Sequence, residues 1–298
     1  MLFLPVIFVL NSCSETPADV QQPAPTAEDM LLATIDSIAK EYDARIGVAV
    51  IALDSGHLIA VRGQEHFTMM SVVKFPQAIA ILKLVDQGKI SLNDKLRFTE
   101  QELKRKTYSP LAEKKGRKPF DLTVRETLGY AVGSSDNLAC DKLYMLLSPA
   151  QTDSFYTALG FTDMDIALMY ADMTDSTINK NWSTPGEMAA VLTAFANGEL
   201  LSDSSTAFLL EIMTNTGNPA NRLKGQLPAD AIVAHKTGTM SVVDGITPAF
   251  NDVGVVQLPG GRRYAIAVFV NDSKEGEDRN AEAIARISKV VWDWFLVR

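Results

Sequence analysis

The β-branched runs of this 298-residue chain lie towards its two ends, and the long stretch between them has a helical pattern. Residues 46 to 53 form one such run, and after Asp54-Ser55-Gly56 a second, 58 to 61, completes a hairpin. Residues 231 to 235, 251 to 258 and 263 to 270 are β-rich again, with Pro259-Gly260-Gly261 as a turn. Between the two groups, apolar helices are expected over 71 to 87, closed by Gly88, and over most of 123 to 213. Breaks fall at Gly133, Pro149, Gly160, Pro185 and Gly198. Strands separated by a helical block imply one antiparallel sheet built from both ends of the chain. Residues 27 to 42 and 281 to 297, with Ile284, Ile287, Val291, Trp294 and Phe295 on one face, supply helices to flank it. The expected class is α+β, three layers deep (αβα), with an all-helical region inserted. A ligand cleft belongs where the sheet meets that insertion.

Composition narrows the function. With 47% hydrophobic and 21% charged residues this is a globular chain, and its net charge of -8 would repel a phosphate backbone, so nucleic acid is not an expected partner. Two cysteines, Cys13 and Cys140, and three histidines, His57, His66 and His235, fall in no metal-ligand spacing, so neither a metal nor another cofactor is expected. Residues 1 to 10 are apolar throughout, too short to span a bilayer but suited to the core of an export signal. The run ends at Leu10-Asn11-Ser12-Cys13, which resembles a bacterial lipoprotein box whose cysteine is lipidated. Residues 14 to 26, with Pro17, Pro23 and Pro25, read as an extended tether. The expected organisation is a signal and lipobox over 1 to 13, a linker over 14 to 26 and one catalytic domain over 27 to 298. Within that domain, 27 to 66 and 220 to 298 form the α/β part and 67 to 219 the helical part. A monomer, exported to the periplasm and held at a membrane through Cys13, is the expectation. Cys140, among Leu138, Ala139 and Leu143, reads as a small buried hydrophobe.

Three short motifs carry chemistry. Ser71-Val72-Val73-Lys74 opens the first long helix, and a spacing of three brings hydroxyl and amine together one turn apart. Lys74 can serve as base for Ser71 only if desolvation or nearby positive charge lowers its pKa, or if a water relays the proton. Ser135-Asp136-Asn137 follows 64 residues after Ser71, and Lys236-Thr237-Gly238 follows it by 165, at the end of a β-rich run. Ser-x-x-Lys, Ser-Asp-Asn and Lys-Thr-Gly in this order form the signature of class A β-lactamases and penicillin-binding proteins, and the chain resembles that family over residues 27 to 298.

The resemblance implies the β-lactamase/transpeptidase-like fold and a role for each matching residue. Ser71 would open the lactam ring of a small-molecule substrate and carry the acyl group, with its N–H and that of Thr239 as the oxyanion hole. Ser135, assisted by Lys74 and Lys236, would protonate the departing nitrogen. Asn137 would bind the substrate's side-chain amide and hold Lys74. Lys236 and Thr237 would bind the substrate carboxylate, with Arg222 reinforcing them from behind the strand, and Gly238 would leave room for a substrate lying along the strand edge. His235, one residue before Lys236, should point away from the cleft.

One family feature has no match. Class A enzymes carry a loop glutamate that activates the deacylating water, in a pattern like Glu-x-x-Leu-Asn ahead of a stretch similar to Asn181-Trp182-Ser183-Thr184-Pro185. Counting back from that stretch places Leu168 there; matching Met169-Tyr170-Ala171-Asp172 to loops of similar sequence places Ile166 there instead. Tyr170 or Asp172 then falls where the loop's asparagine is expected. Asp165, Asp172 and Asp175 are the carboxylates available as substitutes. The leading expectation is a serine β-lactamase acting on penicillins or cephalosporins. The alternatives are a covalent penicillin binder that deacylates slowly or not at all, and a D-alanyl-D-alanine peptidase or esterase of the same fold.

Overall fold

A computed structural model describes residues 24–174, 176–217 and 219–298; the apolar amino-terminal run, Cys13 and Asp175 lie outside the described residues. Five antiparallel strands form the main sheet, in the spatial order Leu58–Val61, Arg45–Ala52, Arg263–Ser273, Thr247–Gln257 and Ile232–Thr239. Arg45–Ala52 thus pairs with a strand more than 200 residues away, with Val48 opposite Val268 and Arg45 opposite Asn271. Both faces of the sheet are covered, which is why its strands read as continuous apolar runs rather than alternating ones.

Alternate residues serve two separate cores. Val48, Val50, Ile266 and Val268 face Leu31, Ile35, Ile284, Ile287 and Val291 on the helices Ala27–Lys40 and Glu277–Leu296. Ala49, Ala265, Ala267 and Phe269 face the helical layer instead. The first helix is fixed at its start by a reciprocal cap, Thr26 and Asp29 each accepting the other's backbone N–H. In the last helix Trp292, rather than the expected Trp294, is the buried tryptophan, and the helix begins at Glu277, earlier than its apolar pattern.

The helical layer is more broken than periodicity predicts. Residues 71 to 87 are not one helix: a 3₁₀ turn, Met70–Val73, precedes the α-helix Lys74–Asp86. A small hairpin, Lys95–Phe98 with Phe120–Thr123, and a three-stranded patch of two-residue strands were not apparent in the sequence. A π-helical turn, Gly129–Gly133, leads into Ser135, a departure from α geometry that often marks functional positions.

Candidate active site

The turn Met70–Val73 lifts Ser71 to the mouth of the helix that follows. Met70 sits in the left-handed region (φ 46°), a strained conformation for a side chain of its size, and redirects the chain just before Ser71. Because the turn is 3₁₀, residues three apart eclipse one another, and Lys74 Nζ lies 3.1 Å from Ser71 Oγ. Lys74 is fully buried and has three acceptors besides Ser71: the Ser135 carbonyl, Asn137 Oδ1 at 2.7 Å and, farther out, Ser135 Oγ. Burial pulls its ammonium down to about 8, opposed only in part by Cys140, Asp136 and Asp141.

Ser135 enters from the helical layer, also with positive φ (55°). Its Oγ lies 3.4 Å from Lys74 Nζ and 3.0 Å from Lys236 Nζ, so one hydroxyl bridges two buried lysines. Burial, and then the charge on Lys74, drives Lys236 well below its ordinary value. Asp136 holds this loop in place: fully buried, it caps the helix Asn137–Tyr144 through Ala139 N–H and accepts from Ser109 Oγ and Leu111 N–H. Asn137 completes the arrangement by donating to Thr107 Oγ1.

The third wall is Ile232–Thr239, an edge strand with one side unpaired in the sheet. Lys236 and Thr237 are buried on it, and His235 turns to the other side, where its Nδ1 lies 2.9 Å from Asp252. Arg222 reaches the strand from behind, donating to the carbonyls of Gly238 and Asn251 and, at 2.6 Å, to Thr239 Oγ1; its guanidinium lies 3.5 Å from the Phe250 ring centre. These partners are all uncharged, and burial lowers Arg222 to about 10. A Cβ at Gly238 would sit 2.4 Å from the Met69 carbonyl oxygen and 3.1 Å from Val72 N, so the missing side chain is required by the turn that carries Ser71.

These walls enclose a cleft of about 530 Å3 lined by Ser71, Ser135, Asn137, Thr237, Thr239 and Arg222, with apolar flanks from Tyr108, Met173, Ile178 and Met240. Sequence reasoning missed Glu277, the one carboxylate among its described lining residues. It also missed the partner of the serine: Tyr170 Oη lies 3.0 Å from Ser71 Oγ, with Lys74 Nζ 4.5 Å from the tyrosine ring centre. Tyr170 N–H donates to Asp141 Oδ1 at 2.7 Å, and Asp141 is paired with Arg105. Asn181 Oδ1 accepts from Ala167 and Leu168 N–H and so pins the rest of the loop. Ile166 is fully buried in the core, and no carboxylate among the described residues hydrogen-bonds Ser71 or Lys74. Asp165 and Asp172 lie off the cleft lining, Asp165 opposite Trp182 in a two-residue strand and Asp172 exposed.

A serine hydroxyl against a buried amine of lowered pKa, a second hydroxyl between two lysines and an edge strand with a buried arginine define an active-serine acyl-transfer site, built for an anionic substrate. The model of the beta-lactamase enzyme family matches residues 30–295. The chain is 40% identical to beta-lactamase VEB-1 of Pseudomonas aeruginosa, over 90% of this chain and 91% of that one. It is 35% identical to the extended-spectrum beta-lactamase PER-1 of the same organism, over 90% and 88%. Among solved structures, a beta-lactamase from Chitinophaga pinensis superposes with a TM-score of 0.86 at 40% identity, covering 89% of this chain and 98% of that one. The TLA-1 extended-spectrum beta-lactamase superposes with a TM-score of 0.88 at 36% identity, covering 91% and 100%. This chain belongs to the class A serine β-lactamases.

Proposed function

We propose that the protein hydrolyses β-lactams through an acyl-enzyme on Ser71, with Lys74 as the base that activates it. The observation that carries this reading is the set of contacts around Lys74 Nζ. A neutral amine has two hydrogens, which go to its two nearest acceptors, the Ser135 carbonyl and Asn137 Oδ1. Of the two hydroxyls farther out, Ser71 Oγ at 3.1 Å is nearer to Nζ than Ser135 Oγ at 3.4 Å and takes the lone pair. Ser71 gives its proton to Lys74 as Oγ attacks the lactam carbonyl. The ring C–N bond breaks, and the nitrogen takes a proton from Ser135 Oγ, which is resupplied from the flanking lysines. The N–H groups of Ser71 and Thr239 hold the oxyanion, Asn137 binds the side-chain amide, and Lys236, Thr237 and Arg222 take the carboxylate. Water then hydrolyses the ester.

The experiment mixes protein 27–298 with a chromogenic cephalosporin and follows colour and intact mass together. Many turnovers with transient mass gain are expected. A single burst that leaves a stable adduct would make the protein a covalent penicillin binder, the reading favoured by the absence of a carboxylate contact at Ser71 among the described residues. Cleavage of a D-alanyl-D-alanine peptide without lactam hydrolysis would make it a peptidase.

We further infer that the chain acts as a monomer outside the cytoplasm, carried there by residues 1 to 10 and anchored in the periplasm by lipid on Cys13; the sequence around that cysteine supports this. Labelled palmitate fed to expressing cells should enter the full-length protein and be lost in Cys13→Ser. Incorporation that survives the substitution would defeat the anchor.

A further inference from the structure

We propose that Tyr170 is a catalytic residue, its phenol donating a hydrogen bond to Ser71 Oγ both when that oxygen attacks the lactam and when it leaves the acyl-enzyme. The inference rests on the hydrolytic reading above for its second half and on geometry alone for its first. Among the described residues, Ser71 Oγ, at 3.0 Å, is the one hydrogen-bond partner of the phenol. The direction of that bond follows from Lys74. With its two nearest acceptors taking the hydrogens of the neutral amine, and Ser71 Oγ nearer to Nζ than Ser135 Oγ, the serine proton points to Nζ and the Ser71 Oγ lone pairs remain for the tyrosine.

The tyrosine is held for this task. Its backbone N–H is anchored on Asp141, which Arg105 pairs at 2.7 Å, its ring packs under the Lys74 amine, and the preceding residues are fastened to Asn181. Burial raises its phenol well above the ordinary range, so the group is still protonated, and still a donor, at the pH where Lys74 becomes neutral.

In acylation, the Oγ–C bond forms as the serine proton passes to Lys74, and the tyrosine stabilises the charge that develops on Oγ. In deacylation, water from the open cleft adds to the ester carbonyl and gives its proton to Lys74. The C–Oγ bond then breaks, and Oγ takes a proton back from Lys74 while the tyrosine again stabilises the departing oxygen. Tyr170 keeps its own proton throughout, and the cycle consumes one water and forms one carboxylic acid.

Tyr170→Phe keeps the ring and its contact with Lys74 and removes only the donor. Acylation and deacylation, measured separately by rapid mixing and by the intact mass of the acyl-enzyme with a chromogenic cephalosporin, should each slow roughly 10- to 100-fold, the worth of a hydrogen bond to a charged oxygen. The concentration for half-maximal acylation and the melting temperature should not change. A 3,5-difluorotyrosine at position 170, a stronger donor, should restore both rates and add a falling limb at high pH as it ionises. Unchanged rates in the phenylalanine variant would reduce Tyr170 to packing, and faster deacylation would make it an obstruction to water; either overturns the proposal. If the wild type acylates but never releases product, the hydrolytic reading fails by itself, and slower acylation in Tyr170→Phe still supports the tyrosine's role.

Discussion

Ser71→Ala is expected to lower turnover of a cephalosporin by a factor on the order of 10⁶, the scale seen when a serine hydrolase loses its nucleophile, and to abolish the mass adduct. The fold should survive it. Ser71 Oγ is bonded only to Lys74 Nζ and Tyr170 Oη among the described residues, and the turn that presents it is held by backbone bonds and by Val72 and Val73 in the core. The melting temperature should therefore move by no more than a few degrees, the shift that about 1 kcal/mol produces. Measurable turnover in this variant would remove Ser71 from the chemistry.

Lys74→Met should slow acylation by roughly 10² to 10⁴, the contribution of a positioned general base. Its pH signature is the sharper test. With the ammonium lowered to about 8, only about a tenth of the molecules carry the neutral amine at pH 7, so the wild-type acylation rate should climb nearly tenfold between pH 7 and a plateau above 8. The methionine variant should lose that limb. A flat wild-type profile across the same range would show that something other than Lys74 takes the proton. Stability follows the same group: between pH 8 and the ordinary lysine value the unfolded chain binds a proton that the folded chain does not, so the wild type gains stability as pH rises through that window. Lys236, lowered well below its ordinary value by burial, acts in the same direction.

The parts of this site that follow a period or a motif were legible in the sequence. Ser71 and Lys74 have a spacing that pairs them on one turn, which becomes a site only with Ser135-Asp136-Asn137 and Lys236-Thr237-Gly238 beside it. The sheet shows as runs of β-branched residues long enough to be buried on both faces. The placement of Ser135 and Lys236 against the same lysine needed the family resemblance, because 61 residues separate Ser135 from Lys74 and no local rule spans that distance. Tyr170 was visible only as a residue out of place in a loop. Its contact with Ser71, 99 residues away, depends on Asp141 and Asn181 gripping backbone N–H groups, and such grips leave no pattern in side-chain order. Gly238 was legible as a glycine that makes space, but what fills the space is backbone from another element. The hairpin Lys95–Phe98 with Phe120–Thr123 was missed because four-residue strands carry too few alternations to register.

The pairing of residue 45 with residue 271 also governs how the molecule comes into being. A chain growing from its amino end holds the first hairpin of the sheet for most of its synthesis without the strand that must lie beside it. The central strand Arg263–Ser273 and the helix Glu277–Leu296 that covers one core are made after all the other described elements. Closure of the sheet therefore waits for Arg263–Ser273, and contacts so distant in sequence make it slow. The helical insertion is made before that strand, but Ser135 gains its bond from Lys236 only once the strand Ile232–Thr239 is in place. An active site divided between the helical layer and a strand near the end of the sheet is expected to be complete only once both parts are in place.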